Sequence, residues 1–412
     1  MSARPTVVVL GAGFAGLRAL YRLHDLSDRL DLVLVDARTT SLARPALPEV
    51  ALAGRPVEHA RFPVRDAAAR HGARFVNRTV EQVDLERSRI VLRDGEGEGD
   101  HLRYDVVLVA LGAQKDYAAI GGFSDFGYSV CDDTEAPRLA EALEGFRGGP
   151  VVVGSAQTTW GNRVEVPRLA APCEGPVAEI MFMVDHELRR RGLREGSSIR
   201  VFSPGAVFFE DVGEKVRTGV AQLTARQGIE VTTGKVLDHL SEGQVHFADG
   251  TAWDSALSIV LPPYAGNPVV QRSPGLGDER GFVPTDTAMR HLDLEHVYAA
   301  GDGAALSMPK LGHIAVMEAD VAAAAIRRDL TGEGEIPAHR PEVFCIANRG
   351  GHDATLIYSD TLFGGTTDLT LDGAAAHLMK WTFDSYYFHT KGHLPPDVAT
   401  KGLELVLRGV KR

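Results

Sequence analysis

Short runs of consecutive apolar residues alternate along this chain with stretches whose apolar positions recur every three or four residues. TVVVL (6–10), LDLVLV (30–35), VVLVA within HLRYDVVLVALGAQ (101–114), PVVVGSAQ (150–157) and LEHVYAAG (294–301) have the unbroken, β-branched character of strands buried on both faces. Leu17, Leu20, Tyr21 and Leu23 follow the first run at helical spacing, and Val177, Ile180, Met181 and Val184 mark a later helix. Near the end, AAAHLMKWTFDSYYF (374–388) predicts a helix with Leu378, Met379, Thr382, Phe383, Tyr386 and Tyr387 on one face. LELVLRGVKR adds Leu403, Val406, Leu407 and Val410 at the same period. Strands alternating with helices predict an α/β chain of Rossmann-like three-layer units. With 412 residues it is too long for one ordinary core, so at least two domains are expected.

Glycines punctuate the first strand–helix junction. Gly11, Gly13 and Gly16 stand in G-x-G-x-x-G spacing, and 25 residues after Gly11 the next strand ends on Asp36. The first glycine permits a tight turn, the second lets the backbone approach a pyrophosphate, and the third lets helix and strand pack closely. The helix N-terminus attracts the anion, and Asp36 is placed to accept from ribose hydroxyls. Two later strands end on small residues, one at Gly112 and the other at Gly301-Asp302. An acid at such a strand end, beside a helix N-terminus, is placed to hold ribityl and pyrophosphate groups. Together these elements resemble the FAD-binding half of the pyridine nucleotide–disulfide oxidoreductase superfamily, which implies FAD as cofactor. The resemblance implies a discontinuous FAD domain (1–115 and 280–330), an inserted second Rossmann-like domain (116–279) and a C-terminal region (331–412).

The inserted domain of that superfamily repeats the glycine fingerprint and binds NAD(P)H. Here Gly154 is followed by Ala156, no third glycine comes in register, and about 20 residues separate strand from helix. NAD(P)H binding is therefore not expected. Residues 37–52 contain no cysteine, so the C-x4-C dithiol of the glutathione reductase branch is also missing.

Three cysteines in 412 residues cannot form the framework of a secreted disulfide-rich protein. Their settings are more specific. APCEGPVAEIMFMVDHELRRRGLR, EVFCIANRGGHDATLIY and FGYSVCDDTEA resemble the cysteine-bearing segments of sulfide:quinone oxidoreductases and of the flavoprotein of flavocytochrome c sulfide dehydrogenase. MPKLGHIAVMEADVAAAAI (308–326) resembles the stretch that lies over the flavin in the same proteins. The resemblance implies a redox pair, Cys173 and Cys345, and a third cysteine, Cys131, serving sulfur release or flavin attachment. It also implies Lys310 as a partner for negative charge on the reduced flavin. A helix N-terminus following Cys173 would lower its thiol pKa. Family histidines are replaced here by Glu135 and by Phe209-Glu210, so acid–base roles would fall to carboxylates such as Glu174 or Glu210.

Charge refines the picture of partners. The net charge of −11 leaves no basic stripe for nucleic acid, and no metal site is expected. No run of about 18 apolar residues occurs, and MSARPT leads directly into a strand without a signal peptide. Residues 371–412 carry six Lys and Arg against four Asp and Glu, a basic amphipathic tail on an acidic chain. Such a tail suits a peripheral position on the cytoplasmic face of a membrane, where a quinone could reach a pocket lined by Phe344 and Phe383. The expected reaction oxidises sulfide to sulfane sulfur and reduces quinone. A type II NADH:quinone oxidoreductase, a flavocytochrome c-type subunit and a redox-sensing flavoprotein are the alternatives. A homo-oligomer remains open.

Overall fold

The computed structural model describes residues 4–95 and 100–392. The apolar runs form two parallel sheets. The first has seven strands in the order Val297–Ala299, Val106–Val109, Thr6–Leu10, Asp31–Asp36, Arg74–Asp84, Arg89–Gly95 and His101–Arg103. Its first five strands are parallel, and the last two are antiparallel additions at the edge. Thr6–Leu10 is the first strand of the chain, and the strands that follow it build outward on both sides, Asp31–Asp36 on one and Val106–Val109 on the other. This is the switch point at which an open α/β sheet leaves a crevice for a ligand. The second sheet is parallel, ordered Gly127–Tyr128, Leu257–Leu261, Gly149–Ser155, Ser197–Phe202 and Ile229–Thr232. Val151, Val153, Ile199, Val201 and Ile259 are buried in it, as their β-branched character requires.

Beyond the two sheets, the C-terminal region contains an antiparallel sheet that the helical patterning did not foretell. Val343–Gly350, Asp353–Ser359 and Asp368–Asp372 pair in that order, with Cys345 opposite Ile357. The helix Ala374–Thr390 packs against it. Of its expected face, Tyr387 is buried and Met379, Phe383 and Tyr386 are half-buried, but Leu378 and Thr382 are not. Ala376, Lys380 and Tyr387 are buried, whereas Leu378 is 59% and Trp381 58% exposed, and Thr382 also faces outward. Lys380 joins the inner face because its amine pairs with the buried Glu179, 3.4 Å away. The expected helix through Leu403, Val406, Leu407 and Val410 lies outside the described residues. Among the described residues no helix is long and apolar enough to cross a membrane, and no metal-binding cluster occurs.

Candidate active site

The helix Phe14–Leu23 begins directly after the strand Thr6–Leu10, and no side chain caps its N-terminus. A Cβ on Gly11 would collide with the Ala110 carbonyl, and one on Gly16 with the Gly11 carbonyl, whereas Gly13 and Gly112 face open space. Two glycines thus serve packing, and two leave room for a ligand. Asp36 accepts from the Ala12 amide (2.7 Å) and from Arg38 N (2.8 Å), which ties the second strand's end to the glycine turn. Gly301 N donates to Glu318 Oε2 (2.7 Å), while Glu318 Oε1 is buried without a hydrogen-bond partner. An uncapped helix start, an open glycine turn and an orphaned buried carboxyl oxygen fit a dinucleotide whose pyrophosphate lies at Gly13. Gly16→Ala is expected to abolish flavin retention, read as loss of the flavin absorbance of the purified protein. A variant retaining full flavin would refute the packing argument.

Around this crevice the structure gathers buried charge. Lys310 is buried. It donates to Ala304 O (2.8 Å), and burial lowers its pKa. Lys115 lies 3.5 Å from Asp302 and 3.1 Å above the Tyr264 ring, with burial lowering its pKa to about 8. Cys131 is buried beside Lys115, which opposes the upward shift that burial imposes on the thiol. Burial raises the Tyr264 hydroxyl, and the charges of Cys131 and Cys173 add to the shift.

Cys173 and Cys345 come together. Both sulfur atoms lie within 4 Å of one point, the position a Cβ on Gly175 would take: Cys345 Sγ at 3.3 Å and Cys173 Sγ at 3.8 Å. All three cysteines are free thiols. Cys173 ends a loop folded on itself through Thr158 N to Ala170 O (2.9 Å) and Trp160 Nε1 to Leu169 O (2.6 Å). Lys310 N holds the same loop at Pro172 O (2.9 Å), joining it to the flavin-side segment. The expected low Cys173 pKa is not found. The Gly175 amide does donate toward the sulfur, but full burial, then the Asp211 carboxyl and Cys345, push the thiol well above its usual range. Burial, then Glu179, raises Cys345 to about 12.

Carboxyls surround the pair. Glu174 Oε2 accepts from Phe209 N (2.7 Å), and burial raises Glu174 to about 7. Glu210 is turned to the Ala170 amide (2.8 Å), and Glu135 pairs with Arg138. Behind Cys345, Glu179 accepts from Asn348 N (3.1 Å) and pairs with Lys380, which also donates to Pro45 O (3.1 Å). Sequence reasoning missed Gly175, Glu179, Lys380, Asp211, Lys115 and Glu318. A single charge inside an apolar helical run, as in VAEIM or AVMEA, was the available signal for the two glutamates. Phe344 meets Phe383 (6.2 Å) and His313 (5.3 Å), and His313 Nε2 lies 3.1 Å from Glu342 Oε1.

The model of the pyridine nucleotide-disulphide oxidoreductase family matches residues 5–319. The chain belongs to that family. Like other pyridine nucleotide-disulphide oxidoreductases it is an FAD-dependent enzyme, in keeping with the crevice just described. Among relatives, it is 23% identical to the sulfide-quinone reductase of Aquifex aeolicus over 430 aligned positions, covering 98% of this chain and 95% of that one. It is 26% identical to an NADH dehydrogenase-like protein of Mycobacterium tuberculosis over 327, covering 76% of this chain and 75% of the relative. The solved Aquifex aeolicus sulfide:quinone oxidoreductase superposes with a TM-score of 0.86 at 22% identity, covering 98% of this chain and 95% of that one.

Proposed function

We propose that the protein oxidises sulfide to sulfane sulfur at Cys173 and Cys345 and passes the electrons to a quinone at a membrane surface. The observation that carries this reading is the placement of both sulfurs within 4 Å of the point a Cβ on Gly175 would occupy, one from the loop before the helix Gly175–Arg190 and one from the strand Val343–Gly350. A bridge between two such cysteines is an electrophile for a small sulfur nucleophile, whose attack leaves a persulfide on one and a thiolate on the other. Gly175 keeps side-chain atoms from between the sulfurs. Glu179, 6% exposed, together with Lys380 can hold or move a proton behind Cys345. Gly13, Gly112, Asp36, Gly301 and Asp302 would hold FAD, and Lys310 would offset negative charge gained on reduction. Bound FAD supplies the two-electron acceptance that links sulfur chemistry to a quinone.

The nicotinamide alternative meets obstacles in the second sheet. The Phe202 ring fills the space a second glycine turn would leave beside Gly154, and Glu174 puts a carboxyl at the start of the following helix, where a pyrophosphate would need amides. Support for the quinone side comes from Phe344, Phe383 and His313 and from the exposed Leu378 and Trp381, which suit a lipid surface. Cys131, beside Lys115, would accept or release sulfur. The test is anaerobic addition of sulfide or NADH to the flavin-loaded protein. Sulfide is expected to bleach the flavin, and a short-chain quinone to restore it. Bleaching by NADH alone would overturn the proposal.

A further inference from the structure

Asp211 has no place in the reading so far, and its surroundings are unusual. It is 4% exposed, and among the described residues its Oδ1 has no hydrogen-bond partner and no cation pairs with it. A buried, uncompensated carboxyl is costly and persists where function requires it. The loop that carries it is fixed at both ends. Glu174, the neighbour of Cys173, accepts from Phe209 N at 2.7 Å and from Glu210 N at 3.3 Å. Asp368 accepts from Gly213 N (2.9 Å) and Lys215 N (2.8 Å). Phe209 is held at φ 62°, a strained value for a phenylalanine, within this clamp. Asp211 directly follows the two amides that grip Glu174, so the clamp brings it to the cysteine segment.

We propose that Asp211 is the proton acceptor of the sulfur chamber and that the chamber admits sulfide as neutral hydrogen sulfide. The inference rests on the sulfide reading above. The step begins from a Cys173–Cys345 disulfide. Hydrogen sulfide attacks one Sγ, a new sulfur–sulfur bond forms, and the Cys173–Cys345 bond breaks with its electron pair leaving on the other cysteine as thiolate. One proton of hydrogen sulfide passes to the Asp211 carboxylate, giving a persulfide, a thiolate and a carboxylic acid.

The groups facing Asp211 suit this role. Its charge reaches both thiols and raises both. Glu210 adjoins it in the loop, Glu174 faces it from the cysteine segment, and Glu179 with Lys380 lies on the far side of Cys345. Lys215 and Arg217 are bound to Asp368 and to Val212 O through backbone and side chain respectively, and Arg217 does not pair with Asp211. Burial, then Glu210, raises Asp211 to about 6, so it fills with negative charge as pH rises through that value. Glu174 follows at about 7, and the two carboxylates then oppose entry of the hydrosulfide anion.

The test uses flavin-loaded protein oxidised to the disulfide, with sulfide added in single turnover and the persulfide counted by mass after alkylation. The wild-type rate should climb about tenfold per pH unit below 6, level off, and fall again as hydrogen sulfide gives way to the excluded hydrosulfide anion. Asp211→Asn should lose the rising limb and fall about 10²-fold, while Asp211→Glu restores the limb. In a second measurement, independent of sulfide turnover, the reduced Asp211→Asn protein should ionise both thiols at lower pH than wild type. An unchanged limb or unchanged thiol ionisation overturns the role of Asp211 while leaving the sulfide reading intact. Wild-type protein that forms no persulfide overturns the sulfide reading instead. Failure of Asp211→Asn to fold also counts against the inference, because an amide can replace an unpaired carboxyl structurally.

Discussion

Cys345→Ser is expected to lower sulfide-dependent quinone reduction roughly a thousandfold or more, with flavin content unchanged. Serine preserves the shape of the site at the strand Val343–Gly350 but cannot carry a persulfide or leave as a thiolate. The dinucleotide crevice is built from Gly11, Gly13 and Gly16 on another sheet, so cofactor binding does not depend on residue 345. Cys173→Ser should be equally damaging, and the double variant little worse than either, because the two sulfurs act as a unit. Anaerobic bleaching of the flavin by sulfide reports the loss directly. Bleaching within tenfold of wild type in either single variant would rule out the pair as the sulfur-handling centre.

The second large effect concerns stability. Lys380→Ala should destabilise the fold by about 3–5 kcal/mol, because it strands Glu179 as a buried charge without its partner. Both residues are 6% exposed, so solvent cannot take over the role of the missing amine. Converting the pair to Glu179→Gln with Lys380→Met should recover most of the loss, since neither charge then remains buried alone. Thermal unfolding of the two variants decides the matter. A Lys380→Ala protein as stable as wild type would mean that the pair is solvated. Because Lys380 favours the ionised form of Cys345, the same variant should also leave that thiol harder to ionise.

Local chemistry was legible in the sequence wherever a short segment carries it. The glycine turn needs Gly11, Gly13 and Gly16 within six residues, and the damage after Gly154 is equally compact. The cysteines could be paired only through resemblance, since Cys345 lies 172 positions after Cys173. Asp211 was hidden because its meaning depends on what is missing around it, a property of packing and not of sequence. On the helix Ala374–Thr390, hydrophobic spacing treats Lys380 as an outward position. Its ion pair with Glu179 on a distant helix reverses that assignment. The antiparallel sheet escaped because VFCIANRG touches protein on both faces and so shows no clean alternation.

One sulfur lies two residues before Gly175 and the other 170 residues after it, and this orders events during synthesis. The glycine turn, both parallel sheets and Cys173 leave the ribosome well before residue 345 does, and earlier segments generally fold first. A nascent chain can therefore assemble the cofactor crevice while its sulfur chemistry still lacks one half. Cys345 arrives only when the C-terminal sheet docks on the helix Gly175–Arg190. On the proposed chemistry, reactivity toward sulfide waits for this last docking event.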